Sequence, residues 1–311
     1  MQLINNIEDI KEQFVNPVIT IGNFDGVHVG HQALFHEIIE KADSIHGTSV
    51  VLTFEPHPMR VLKENNHFPL ITLYEQKVEL IEATGIDSLI CLPFTLEFAS
   101  LPAVNFIEDI LVDRIGMKAI VIGKDYTFGK NRQGNIELLN QYAPVHGFEV
   151  IVKNWIEATV NSPYRISSTR IRRLVKAGDL ENAQKLLGRH YQIRGMVKRG
   201  RDRGGKLLGF PTANIELKDE LSPKRGVYAV KVEYGGDLLK GVANIGYSPT
   251  FDDHVFTVEV HILNFNGDMY DQPVKVNFVK RIRDEKKFSS VNELAQQIGR
   301  DVKKAEALLQ I

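Results

Sequence analysis

Five short apolar runs, at 18–21, 50–54, 89–94, 119–123 and 149–153, recur through the first half of this 311-residue chain. Helical patterns separate them, among them 73–83, 104–115 and 136–142. The runs are mostly apolar rather than alternating, with charged residues only at the two ends of 149–153, so neither face of the strands they form can be left to water. Strands of that kind, joined by helices, build a parallel sheet covered on both sides. Ligands of such sheets bind outside the carboxyl ends of the strands, which fixes where to look for chemistry.

The pattern changes after the helical stretches 170–178 and 182–187. From Tyr191 onward apolar and polar residues alternate, with turn residues between the runs. Runs 226–234 and 238–245 flank Gly235-Gly236-Asp237, and 255–263 and 274–282 flank Asn266-Gly267-Asp268. These spacings predict antiparallel hairpins. A last helix is expected over 291–309, capped by Ser289 or Ser290, with Leu294, Ile298, Val302, Ala305 and Leu309 on one stripe. The expected architecture is an α/β, Rossmann-like domain over 1–187, a hinge near 187–190, and a small antiparallel β-barrel with a C-terminal helix over 188–311.

The first run empties into Gly22-Asn23-Phe24-Asp25-Gly26-Val27-His28-Val29-Gly30-His31, and a helical pattern begins near His31. A strand that passes through glycines into a helix N-terminus gathers free N–H groups and the positive end of the helix dipole, which suits an anion. No Gly-Lys-Ser/Thr follows, so this is not a Walker A loop, and the glycine spacing is not that of a dinucleotide fingerprint. His-x-Gly-His resembles the signature of nucleotidylyl transferases, which attack the α-phosphate of ATP. Three further segments fall at predicted strand ends or a helix start: Phe54-Glu55-Pro56-His57-Pro58, Gly123-Lys124-Asp125-Tyr126-Thr127-Phe128-Gly129, and Ile166-Ser167-Ser168-Thr169-Arg170-Ile171-Arg172. Arginines in a first helical turn oppose the dipole, a placement that a polyphosphate nearby would offset. Read alone, each segment is also an ordinary turn or cap. If the nucleophile is a phosphate it is already anionic, so the chemistry needs charge stabilisation rather than a base. His28, His31, Ser168, Thr169 and Arg172 suit that role.

In the second half, Gly209-Phe210-Pro211-Thr212-Ala213-Asn214 puts Thr212 and Asn214 on one face of an extended chain. A hydroxyl and an amide carbonyl are hard oxygen ligands suited to Mg²⁺ held largely by substrate phosphates. Upstream, Lys198, Arg199, Arg201, Arg203 and Lys206 lie among glycines in a basic loop. Such a loop is either a solvated surface or a cover for a nucleotide. Glu259 shares a strand face with Thr257 and His261, opposite Phe256, Val258, Val260 and Ile262. It reads as a solvent-facing carboxylate or, beside a Mg²⁺ site, as the general base for a hydroxyl attacking a γ-phosphate.

Composition excludes some classes. The formal net charge is −1, from 38 Lys and Arg against 39 Asp and Glu, which lacks the basic excess of a nucleic-acid binder. The single cysteine, Cys91, sits in an apolar run and points to a reducing, cytoplasmic setting. The N-terminal stretch is too polar for a signal peptide, and no apolar run is long enough to span a bilayer. No nucleic-acid or membrane partner is expected, and a monomer or weak oligomer is.

Taken together these residues resemble the bacterial bifunctional riboflavin kinase/FAD synthetase family over nearly the whole chain, in the same domain order. The resemblance rests on Gly22–His31, Gly123–Gly129 and Ser167–Arg172 in the first half. In the second it rests on Gly209–Asn214, Gly226–Val230, Asn244–Phe251, Val258–Leu263 and Ile282–Phe288. It implies that the C-terminal domain phosphorylates riboflavin to FMN with ATP, and that the N-terminal domain transfers AMP to FMN and releases pyrophosphate. It implies Glu259 as the kinase base, Thr212 and Asn214 as the Mg²⁺ and ATP ligands, and Arg283 as a flavin contact. His28 and His31 would handle ATP phosphates, with Gly22, Asn23, Phe24, Gly30, Asp125, Ser168, Thr169 and Arg172 around them, and Lys206 would serve the kinase phosphates. Two departures stand out. Gly204-Gly205-Lys206 replaces the family's Gly-Arg, a point charge in place of a fork. Met269-Tyr270-Asp271 replaces Leu-Tyr-Gly, which matters if that glycine occupies a positive-φ turn. The residues alone leave open an enzyme in which only the synthetase half is active, and an RNA-binding protein with flavin as its ligand. A tRNA-synthetase-like enzyme would fit His-x-Gly-His but not the barrel.

Overall fold

A computed structural model describes residues 1–11, 13–63, 68–154, 165–198, 210–217, 220–249 and 254–310. The chain divides into two compact units, Met1–Ser168 and Thr169–Ile311.

The first unit holds a six-stranded parallel sheet in the order β1-β4-β3-β2-β5-β6. Its strands are β1 Gln2–Ile4, β2 Val18–Ile21, β3 Ser49–Glu55, β4 Ser88–Pro93, β5 Ala119–Gly123 and β6 Glu149–Lys153. The apolar runs locate β2 to β6. Alternate residues of one strand enter different cores, as continuous apolarity requires. Ile19, Ile21, Val50, Leu52, Ile120 and Ile122 pack with Phe106, Ile107 and Leu111 on one side. Val18, Val51, Leu89 and Val121 pack with Phe35, Ile38 and Ile81 on the other. The covering helices are α1 Val29–Ser44, α2 Pro58–Leu62, α3 Tyr74–Glu82, α4 Leu96–Ala99, α5 Ala103–Asn105 and α6 Ile136–His146. The helix expected over 104–115 is split: α5 runs on as a π-helix, Phe106–Arg114. β2 pairs with both β3 and β5, so the winding of the sheet reverses between β2 and β5. That reversal is where an open parallel sheet leaves a crevice for ligands.

The second unit begins with the helix that Ser168 starts, α7 Ser168–Ala177, followed by α8 Leu180–Leu187. The backbone N–H of Lys224 donates to the carbonyl of Val175, and α8 packs against β7 and β12 of the barrel. The contact boundary therefore lies earlier than the change in sequence pattern near 187, because the apolar stripe of α8 (Leu180, Ala183, Leu186, Leu187) is buried on this side. The barrel closes in the order β10-β11-β8-β7-β12-β9, with every pairing antiparallel. Its strands are β7 Tyr191–Lys198, β8 Ala213–Ile215, β9 Gly226–Tyr234, β10 Asp237–Pro249, β11 His254–Ile262 and β12 Pro273–Arg283. The last helix, α9 Val291–Leu309, is capped by Ser290, whose hydroxyl accepts from the N–H of Glu293. Its stripe covers Val227, Ala229, Val242 and Ile282 on the outside of the barrel with Ala305 and Leu309.

Candidate active sites

The Gly22–His31 segment lies at the carboxyl end of β2, on the β2/β5 reversal. Its backbone is unusual: Phe24 and Val27 have φ of 48° and 37°, and Gly26 has φ of 89°. Non-glycine residues held in that region mark a loop fixed by its surroundings. Asp25 supplies much of the fixing. It is 3% exposed. Its carboxylate accepts from the N–H of Ile71 at 3.0 Å and of Thr72 at 3.1 Å, and the N–H of Gly26 donates to the Thr72 hydroxyl at 3.0 Å. Ser168 donates its hydroxyl to the backbone carbonyl of Asp25 at 2.8 Å.

His28 is the N-cap of α1. Its Nδ1 accepts from the N–H of His31 at 3.3 Å. A nitrogen that accepts carries no proton, so in the neutral ring the proton sits on Nε2, and the imidazole is a donor there. The rings of His28 and His31 stack with centroids 3.5 Å apart, and Phe24 meets His31 edge-on at 5.1 Å. Phe24 is itself buried against Phe35, so it forms the floor of the loop. Gly30 has a packing reason: a Cβ there would stand 3.2 Å from Cε1 and Nδ1 of His28. Gly22 has one too, because a Cβ there would meet the Phe24 ring at 2.9 Å. Asn23 is exposed, and its carbonyl accepts from Thr53 at 3.4 Å. Asp125, after β5, is exposed and pairs with Arg165 at 2.8 Å. Thr169 is exposed and Arg172 half-buried on α7.

Three residues near the strand ends have structural parts that the sequence did not assign: Asp25 and His57 lie inside the motif segments quoted above without a role of their own, and Lys77 lies in none of them. His57 caps α2 as His28 caps α1, its Nδ1 accepting from Met59 at 3.1 Å, and is 5% exposed. Lys77, 3% exposed, donates to the carbonyl of Phe54 at 3.2 Å and lies 3.6 Å from Glu55. A buried charge demands partners, but which ones cannot be read without the fold.

In the barrel, register brings the second set together. Glu259 on β11 stands directly opposite Asn214 on β8 and opposite Asn244 on β10. Directly paired residues share a face, with Cβ atoms about 4.5–5.5 Å apart. Val258 and Val260 fill the barrel interior, so this polar row lies on its outer surface. Lys198 continues the row, paired with Asn214 across β7 and β8. Glu259 is half-buried, and desolvation raises its carboxyl above the ordinary carboxylate range. Thr212, just before β8, borders an apolar slot of about 190 Å³ that Ala213, Val260, Ile262 and Tyr270 also line. Asp271, near that slot, has φ of 57°, so the turn is indeed of the left-handed kind that glycine fits without strain. Lys206 and the basic loop around it lie outside the described residues. Arg283, on β12, hydrogen-bonds to α9 and to its own neighbour in sequence. Its Nε and Nη2 donate to the carboxylate of Asp301 on α9 at 2.9 and 2.7 Å, and its Nη1 donates to the Asp284 carbonyl. Among the described residues no group of three or more His, Cys, Asp or Glu is placed to hold a metal ion. A cation here would rest on Thr212 and Asn214 oxygens and on substrate phosphates.

The family model for FAD synthetase matches residues 10–170, and that for riboflavin kinase matches residues 187–309. Proteins named bifunctional riboflavin kinase/FMN adenylyltransferase are similar over almost the full length. The one from Haemophilus influenzae is 38% identical, covering 99% of both chains. The one from Escherichia coli K12 is 38% identical, covering 97% of this chain and 96% of its own. A crystal structure described as a macrolide-efflux protein from Streptococcus pneumoniae is 35% identical, covers 98% of both chains, and superposes with a TM-score of 0.88. Among the described residues no helix is long and apolar enough to cross a membrane. With both family models matched in succession and relatives aligned end to end, the chain belongs to the bifunctional riboflavin kinase/FMN adenylyltransferase family.

Proposed function

We propose that this protein makes FAD from riboflavin in two ATP-dependent transfers at separate sites. The kinase step moves the γ-phosphoryl group of ATP to the primary hydroxyl of riboflavin and gives FMN and ADP. The adenylyl step joins AMP to the FMN phosphate and releases pyrophosphate. As functional parts we assign 1–187 to adenylyl transfer and 188–311 to the kinase.

The observation that carries the kinase reading is the register of Asn214, Glu259 and Asn244, which sets an amide–carboxylate–amide row on one face of the barrel. Glu259 takes the hydroxyl proton as the oxygen attacks phosphorus. Its raised pKa brings it nearer to neutral pH, where a base both accepts a proton and stays ionised. Thr212 and Asn214 offer the hard oxygens that Mg²⁺ takes. When bound, that ion would neutralise phosphate charge. The apolar slot beside Thr212 suits the flat base of ATP. Arg283 contributes by holding Asp301, and through it α9, against the barrel.

Adenylyl transfer needs no base, because the FMN phosphate is already an anion. Here the α1 N-terminus and the Nε2 donor of His28 stabilise charge on the α-phosphate and the departing pyrophosphate. Asp25 and Ser168 keep that loop in shape. Thr169 and Arg172 follow Ser168 on the same helix, and their part rests on the sequence motif. The test is direct: protein with riboflavin, ATP and Mg²⁺ should yield FMN and then FAD. Product that stops at FMN rejects the adenylyl half, and riboflavin left unchanged rejects the kinase half.

A further inference from the structure

His261 lies on β11 two residues beyond Glu259, on the same strand face, and neither step described above uses it. Its Nδ1 stands 2.8 Å from the carbonyl oxygen of Pro211. A carbonyl can only accept, so Nδ1 carries the proton. The ring of Phe210 meets the imidazole edge-on, with centroids 5.3 Å apart and planes at 87°. Both contacts fall on the segment just before β8, which begins at Ala213.

The Pro211 carbonyl belongs to a rigid peptide plane whose other end is the N and Cα of Thr212. Proline has no N–H with which to tie this segment into a ladder. Fixing that one oxygen therefore sets the orientation in which Thr212 leaves the turn. We infer that His261 is a positioning residue of the kinase site. Its Nδ1–H, backed by the Phe210 ring, holds the Pro211–Thr212 peptide so that the Thr212 hydroxyl joins the Asn214–Glu259 row. The inference rests on the kinase reading above and extends it to a residue that does not touch the reacting atoms.

The side chain of asparagine can put an N–H where Nδ1–H stands. Glutamine is one methylene longer and puts its amide nearer Nε2. FMN formation should be measured in full-length H261A, H261Q and H261N across a Mg²⁺ titration, with FMN-to-FAD conversion followed in the same preparations. We expect H261A and H261Q to lower kcat for FMN formation about tenfold, the effect of losing one hydrogen bond's orientation, and to need more Mg²⁺. H261N should stay within about threefold of the unsubstituted protein by the same measure, since it keeps the donor. FAD formation from added FMN should not change in any of them. H261A with unaltered kcat and Mg²⁺ dependence overturns the inference, as does H261N falling as far as H261Q. Unsubstituted protein that forms no FMN rejects the kinase reading itself, a separate and visible result.

Discussion

Asp301→Ala should loosen the barrel without harming adenylyl transfer. Asp301 lies on α9, its side chain 5% exposed, and accepts three N–H···O contacts of 2.7 to 3.1 Å from Arg283 on β12. Gln297 adds a fourth donor at 2.9 Å. Removing one partner of a buried pair costs about 3–5 kcal/mol, because the other charge is left without compensation. Arg283 is 19% exposed, so water reaches it in part, and we lower the figure to about 2–4 kcal/mol. For a unit of this size each kcal/mol moves the midpoint by about 3–4 °C, so the barrel transition should fall by roughly 6–16 °C. Differential scanning calorimetry of the full chain, with FMN-to-FAD conversion as an internal control, reads this out. R283M/D301L, which replaces the pair by apolar groups, should recover part of the loss. A barrel midpoint unchanged in Asp301→Ala would refute the reasoning and show that α9 is held by its apolar stripe alone.

Glu259→Gln should stabilise the barrel at neutral pH while abolishing its chemistry. Burial raises the Glu259 pKa in the folded protein, so folding favours the protonated acid and the ionised carboxylate lowers stability above the folded pKa. The gain in midpoint should be present at pH 7, fade as pH falls through the raised folded pKa, and be gone below the unfolded carboxylate value; equal midpoints at pH 7 would count against a desolvated Glu259. For the same reason, the acid limb of FMN formation should lie above the ordinary carboxylate range. In the other unit, Gly30→Ala should slow FMN-to-FAD conversion about tenfold, since the new Cβ would crowd His28 at 3.2 Å and disturb its cap to His31. Alanine favours the helix by about 1 kcal/mol, so lost activity with retained or raised stability is the expected pair. Unchanged FAD formation would remove His28 from the account.

What the sequence made legible follows period and motif. Apolar runs located β2 to β6, and alternation located the strands β9 to β12. The β9–β10 hairpin forms as expected, but the expected pairing of 255–263 with 274–282 does not: β11 lies between β10 and β8, and β12 between β7 and β9, because closing the barrel gives each of them other neighbours. Ser290 marked the start of α9. β1 went unread, because Gln2 and Leu3 are exposed at the sheet edge and only Ile4 is buried, which leaves no apolar run to notice. The π-helix at Phe106–Arg114 has the same apolar spacing as an α-helix over so short a span. His28, His31, Thr212, Asn214 and Glu259 stand in dense motifs and could be picked out. What those residues lean on could not. Asp25 finds its donors at Ile71 and Thr72, and Arg283 finds Asp301 across a strand and a helix. Asn244 gains its meaning only from the register with Glu259. Such long-range partners depend on which strands become neighbours, and local pattern does not encode that.

Making FAD from riboflavin in this chain requires two ATP-using sites that work independently. Feeding riboflavin or FMN separately to Glu259→Gln and to His28→Ala/His31→Ala, with ATP and Mg²⁺, tests this directly. Glu259→Gln should phosphorylate riboflavin about 10²–10⁴-fold more slowly, yet convert added FMN to FAD at the unsubstituted rate. The double histidine variant should accumulate FMN and make no FAD. Loss of both products in either variant would contradict the separation.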